Sequence, residues 1–124
     1  MVGELSIVSK TNGKTSERVE ALTNLVCAVV SIEFGVQTSQ IITRKKDPAH
    51  ICFARQVAMY LVHVVFQIRI ASIARVFCRD PSTVSHACHT IEEARDDQVL
   101  DSKLTALEDF LDMPSLIETV SDES

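Results

Sequence analysis

The chain has 124 residues, 46% of them hydrophobic and 23% charged, which suits one folded domain with short tails and a modest core. Its longest apolar run, Val57 to Phe66, contains His63 and is too short to cross a bilayer, and residues 1–15 hold no basic-then-apolar export leader. A cytoplasmic protein without membrane contact is expected, and the net charge of −5 argues against a polyanionic partner until it is resolved along the chain.

Resolved by segment, the charge is strongly polar. Residues 1–43 carry three basic and four acidic groups, 44–91 seven and two, and 92–124 two and eleven. The basic excess therefore sits in the middle third. Cys27, Cys52, Cys78 and Cys88 fall mostly within apolar stripes and lack Cys-x-x-Cys spacing, so they are expected to be buried thiols in a reducing compartment.

Met1 to Lys14 shows no sustained period, and a flexible arm is expected over residues 1–15, followed by a helical domain over 16–112. Gly13-Lys14-Thr15 matches the end of a phosphate-binding P-loop. That loop also needs a glycine five positions before Gly13, where Val8 stands, so no nucleotide is expected. From about Ser16 a helix turns Val19, Leu22, Val26, Val29 and Val30 inward, and Gly35 ends it in a left-handed conformation. Thr38 is placed to cap a short helix carrying Ile41 and Ile42. Arg44-Lys45-Lys46 follows, and an isolated triplet of this kind is by default a solvated charge run.

Asp47-Pro48 signals an N-cap and first helical residue, opening a long helix to about Gln67 with Val57, Ala58, Leu61, Val64, Val65 and Ile68 on its buried face. Ile70, Ile73, Ala74 and Phe77 form the next stripe. Cys78-Arg79-Asp80 interrupts it, and Asp80-Pro81 then repeats the cap signal, with the Asp80 carboxylate suited to accept from free backbone N–H groups. Val84, Ala87, Cys88 and Ile91 face inward at i, i+3, i+4, i+7. The opposite face carries Ser82, Thr83, Ser85, His86 and His89, short or planar polar groups without a carboxylate, flanked by Arg75 and Arg79. Such a face can approach a polyanion and hydrogen-bond to base edges. Periodicity alone fits a plain pair of packed amphipathic helices equally well. Glu92 to Asp97 is expected to be a solvated helix end and turn. Leu100, Leu104, Leu107 and Leu111 then close the core, and residues 113–124 form an acidic mobile tail.

Two chemistries are set aside. Cys78, His86, Cys88 and His89 do not make a metal site, because one helix sends Cys88 inward and His86 outward where tetrahedral ligation needs convergence. His50, His63, His86 and His89 have no thiolate or serine at catalytic spacing, and no pair of carboxylates sits in an apolar setting, so neither an enzyme nor a cofactor is expected.

The run Ile73-Ala74-x-x-Phe77-Cys78-Arg79-Asp80-Pro81-Ser82-Thr83-Val84-Ser85-His86-Ala87-Cys88-His89-Thr90-Ile91 resembles the signature of the C-terminal DNA-binding domain of DnaA, the bacterial replication initiator. Arg55-Gln56-Val57-Ala58-Met59-Tyr60-Leu61, Glu33-Phe34-Gly35-Val36 and Ile41-Ile42-Thr43-Arg44-Lys45-Lys46 are similar to three further segments of that family, in the right order. The resemblance implies an all-α bundle of about five to six helices around a helix-turn-helix, of the kind shared with the Trp repressor. It implies that Ser82, Thr83 and His86 meet bases in the major groove, with Ser85 and His89 as outer contacts. Arg79, Arg75, Arg55 and Lys45 would then meet phosphates, Gln56 the backbone and neighbouring base edges, and the Arg44-Lys45-Lys46 run, chiefly Lys46, the minor groove. Two departures bear on strength: Pro81 stands where most members have a histidine donor, and Asp47, Ala49 and Phe53 stand near positions that often carry arginine.

The expected partner is double-stranded DNA, bound with a sequence preference by a stand-alone, nucleoid-associated regulator of transcription or replication initiation without the initiator's ATPase. The alternative is a protein-interaction module that has lost specific DNA binding and acts on the replication initiator or another protein.

Overall fold

The computed structural model describes residues 3–43 and 48–113, with side chains from Ser16 onward. Among these residues there are six helices and no strand: α1 (Gly3–Phe34), α2 (Thr38–Ile42), α3 (Ala49–Phe66), α4 (Ile70–Phe77), α5 (Pro81–Ala94) and α6 (Gln98–Leu111). The expected all-α architecture is therefore the observed one.

α3 is the axle of the bundle and touches each of the other five helices. Six consecutive residues, Val57 to Val62, are buried, so the helix is covered around its whole circumference rather than along the single expected stripe. Val64, Val65 and Ile68 pack only partly against the core. By length and composition α3 is apolar enough to cross a membrane, yet half of it is buried among its neighbours, as a core helix should be.

The helix ends explain how the chain turns. Gly35 adopts φ 68, and Val36 N–H and Gly35 N–H both donate to the Ser31 carbonyl at 3.2 and 2.9 Å, which closes α1 as expected. α1 begins at Gly3 rather than near Ser16. Its first turns contain no proline, and good helix formers such as Glu4, Leu5, Lys10 and Lys14 carry the helix through Gly13, where glycine costs about 1 kcal/mol. Thr38 is the first residue of α2 and not its cap: Gln37 holds that place, and its N–H donates to Gln40 Oε1 at 3.0 Å. Pro48 likewise takes the cap position of α3, one residue later than expected, accepting from Ile51 and Cys52 N–H at 3.1 Å each. Asp47 and the whole Arg44-Lys45-Lys46 run lie outside the described residues.

Gln67 leaves α3 in the left-handed region, and His63 Nδ1 lies 2.9 Å from the Ile68 carbonyl, bracing the link to α4. α4 then ends at Cys78 with φ 56. Arg79 N–H donates to Ala74 O at 2.8 Å and Cys78 N–H to Arg75 O at 3.2 Å, the paired hydrogen bonds of a Schellman turn built without glycine. A side chain in that region costs about 1 kcal/mol, which the fully buried Phe77 and Ile73 just before the turn offset.

Candidate nucleic-acid interface

The two helices joined by this turn pack on each other and, through α5, on α3. Asp80 is the N-cap residue of α5 and Pro81 stands in the first turn, as the sequence indicates. The Asp80 side chain makes no capping bond, however. Its backbone carbonyl accepts instead, from Thr83 and Val84 N–H at 2.9 and 3.2 Å. Val84, Ala87, Cys88 and Ile91 are buried, and Ser82, Thr83, Ser85, His86 and His89 are exposed, so both faces match expectation residue by residue.

The exposed row has the electrostatics of an anion-facing surface. No carboxylate occurs from Pro81 to Ile91, and the N-terminal end of a helix carries partial positive charge. Ser82, Thr83 and Ser85 make no side-chain hydrogen bond within the described residues. His86 Nε2 lies 3.5 Å from Thr90 Oγ1, a long contact that leaves the ring available. His89 differs: its ring nitrogens lie 3.1 Å from Glu93 Oε2 and 3.9 Å from Glu92 Oε1, which places it at the acidic rim of the row.

The residues expected to surround this row divide into two groups. Arg75 is exposed on α4 and Gln56 is half-buried on α3. Arg55 is only 5% exposed, and its guanidinium is turned to α2, with Nε on the Ile41 carbonyl at 2.7 Å and Nη2 on the Gln40 carbonyl at 2.8 Å. It is not a surface arginine lying along its helix. Arg79, in the turn, donates from Nη2 to the Thr43 carbonyl at 2.8 Å. Both arginines thus converge on the carbonyl end of α2.

Cys88 and His86 point to opposite faces of α5, which removes the four-ligand set considered from sequence. Burial pushes the Cys27 thiol up to about 12, and burial, with Glu92 adding to it, pushes Cys88 up to about 11. Cys78 is exposed and Cys52 half-buried, so the expectation of four buried thiols holds for two.

One organising residue was missed. Arg95, expected to be solvated, is a hub: Nε meets Asp101 Oδ1 at 2.6 Å, Nη1 meets Glu108 Oε2 at 2.6 Å and Tyr60 Oη at 3.0 Å, and Nη2 meets Thr105 Oγ1 at 2.9 Å. Burial works against its charge, but the hydrogen bonds it donates to Glu108, Asp101 and Tyr60 outweigh burial and hold its pKa above the ordinary value. The sequence did carry a sign of it. Arg95 and Lys103 are the two basic residues among eleven acids after Ile91, and both are paired, Lys103 with Glu33 at 3.4 Å and over the Phe34 ring.

A profile described as the bacterial DnaA protein helix-turn-helix matches residues 23–91, more than half of the chain. The chain belongs to the DnaA C-terminal helix-turn-helix family. It is similar to the chromosomal replication initiator protein DnaA of Lachnoclostridium phytofermentans, with 32% identity over 70% of this chain and 18% of that protein. The DnaA of Acholeplasma laidlawii is 33% identical over 81% of this chain and 22% of its own length. This DnaA-family chain therefore spans about a fifth of the curated relatives it matches. A crystal structure of a DNA replication initiation factor superposes with a TM-score of 0.62 at 24% identity, covering 95% of this chain and 36% of that one, and supports the fold.

Proposed function

We propose that this DnaA-family chain binds double-stranded DNA with a sequence preference by laying α5 in the major groove, and regulates transcription or replication initiation. The observation that carries the reading is the exposed, carboxylate-free row at the front of α5, whose Ser82, Thr83 and Ser85 hydroxyls have no partner among the described residues, just behind the turn from α4. Ser82, Thr83 and His86 contact bases, with Ser85 and His89 at the margin. Arg75, Gln56 and Lys45 contact the backbone, and Arg44 and Lys46 supply charge at the minor groove. Base contacts choose the site, while phosphate contacts set affinity and register.

Selection of bound duplexes from a random pool tests this, followed by anisotropy of the enriched duplex against a scrambled one at about 150 mM salt. Enrichment of a motif with discrimination of at least about tenfold is expected, since one good base contact is worth about 1–3 kcal/mol. Pro81 lacks the donor that histidine provides in most members, so the enriched motif should be a weakened or shifted form of the family's site. A pool that never enriches, together with flow-through on heparin at about 50 mM salt, would replace DNA binding with the second reading, a protein-interaction module. That reading has one observation in its favour: Arg55, expected on DNA, is engaged inside the protein.

A further inference from the structure

We propose that Arg55 and Arg79 act on DNA binding as positioning residues, holding the carbonyl end of α2 against the helix-turn-helix, and not as phosphate contacts. The proposal rests on the DNA-binding reading above.

The argument begins with the length of α2. Five residues are too few for a helix to persist in water, because nucleation is costly and the carbonyls of its last turn lack an intrahelical donor. The missing donors are supplied from outside. Arg55, on α3, gives Nη2 to Gln40 O and Nε to Ile41 O, while Arg79, in the turn before α5, gives Nη2 to Thr43 O. Thr43 N–H in turn donates to Ser39 O at 3.1 Å. These are charge-assisted bonds from planar forks, which fix direction as well as distance, and positive charge at a helix C-terminus is favourable in itself.

Burial then decides between the two uses. Arg55 is 5% exposed with two of its nitrogens on carbonyls, so a phosphate oxygen would meet a guanidinium that is nearly covered and already engaged. Arg79 links residues 36 positions apart, joining the α2 end to the residue just before the Asp80 cap. Together the two side chains set where Thr43 stands relative to the front of α5. The next residues in sequence are Arg44, Lys45 and Lys46, so a displaced Thr43 displaces the origin of that basic run.

The test uses the full chain with Arg79→Met, Arg55→Met, the triple change Arg44→Ala, Lys45→Ala, Lys46→Ala, and each methionine variant combined with the triple change. Without DNA, amide exchange over residues 38–43 should accelerate by about tenfold or more in each methionine variant while α6 keeps its protection. With the enriched duplex, each methionine change should weaken binding about tenfold in the otherwise natural chain and less than about twofold in the triple-alanine background, the signature of coupled residues. A purely structural role would not produce that coupling. Equal losses in both backgrounds, with the salt slope falling by about 0.9 for each arginine removed, would show direct phosphate contact and overturn the proposal. Unchanged exchange over 38–43 would overturn it as well. Should Arg55→Met fail to fold, Arg79→Met decides alone, since Arg79 is only half-buried. A natural chain that binds no duplex, with local loosening still seen in the variants, would end the DNA-binding reading and the proposal together while leaving the anchoring of α2 intact.

Discussion

At its N-terminal end α5 exposes Ser82, Thr83 and Ser85, whose hydroxyls find no partner among the described residues. At its C-terminal end Arg95 commits all three nitrogens to Tyr60, Asp101, Thr105 and Glu108. One helix thus carries two opposite treatments of polar side chains. Where polar groups are paired with each other they tie α5 to α3 and α6, and their removal is felt as stability. Where they are left to solvent they cost the fold nothing, and their removal is felt only by a ligand.

The strongest way to break this contrast is Arg95→Met. It leaves two carboxylates facing an apolar side chain, and the loss should be about 2–4 kcal/mol in urea unfolding. DNA affinity, measured well below the unfolding transition, should change less than about twofold. Affinity that falls in step with stability would mean that the two ends of α5 are not independent.

Joint replacement of Ser82→Ala and Thr83→Ala is the mirror experiment. Stability should move by no more than about 0.5 kcal/mol, while discrimination between the enriched and scrambled duplexes drops by about 1–3 kcal/mol for each hydroxyl that reads a base edge. Intact discrimination in this variant would remove both residues from the recognition set.

What sequence made legible follows the same division. The inward stripe Val84, Ala87, Cys88 and Ile91 and the outward row were readable because both depend on a 3.6-residue period and a cap signal, which are local. The left-handed Gly35 was readable for the same reason. The destinations of Arg55, Arg79 and Arg95 were not. Their partners lie 14, 36 and up to 35 positions away, and nothing in the neighbourhood of an arginine records which distant carbonyl or phenol it will meet. α3 misled for a different reason. Burial all round a helix erases the period that a one-sided stripe would show, so the burial of Met59, Tyr60 and Val62 left no pattern to read.

The cysteines give the smallest effect and the finest test of which way α5 and its turn face. The buried Cys27 and Cys88 titrate near 12 and 11, well above the value of about 8.5 for an exposed thiol. The folded state therefore keeps protons that the unfolded chain gives up. The stability this contributes is complete below about pH 8.5 and is lost as pH rises through the folded values. Urea midpoints should decline from about pH 9 upward, and less steeply when Cys27 and Cys88 are both alanine. At about pH 8 a thiol reagent should label the exposed Cys78 quickly and leave Cys27 and Cys88 until the chain unfolds.

The protein has one tyrosine and no tryptophan, and that tyrosine lies under the Arg95 guanidinium, its ring centre 5.9 Å away. All long-wavelength intrinsic emission consequently comes from the rear of α5, about 20 Å along the helix from Ser82 and Thr83. On the proposed reading, DNA at the front of α5 leaves this emission unchanged, once light absorbed by the duplex itself is corrected for, so long as the two ends behave as separate bodies. Any remaining change in tyrosine emission during a titration is then a signal that has travelled the length of the helix.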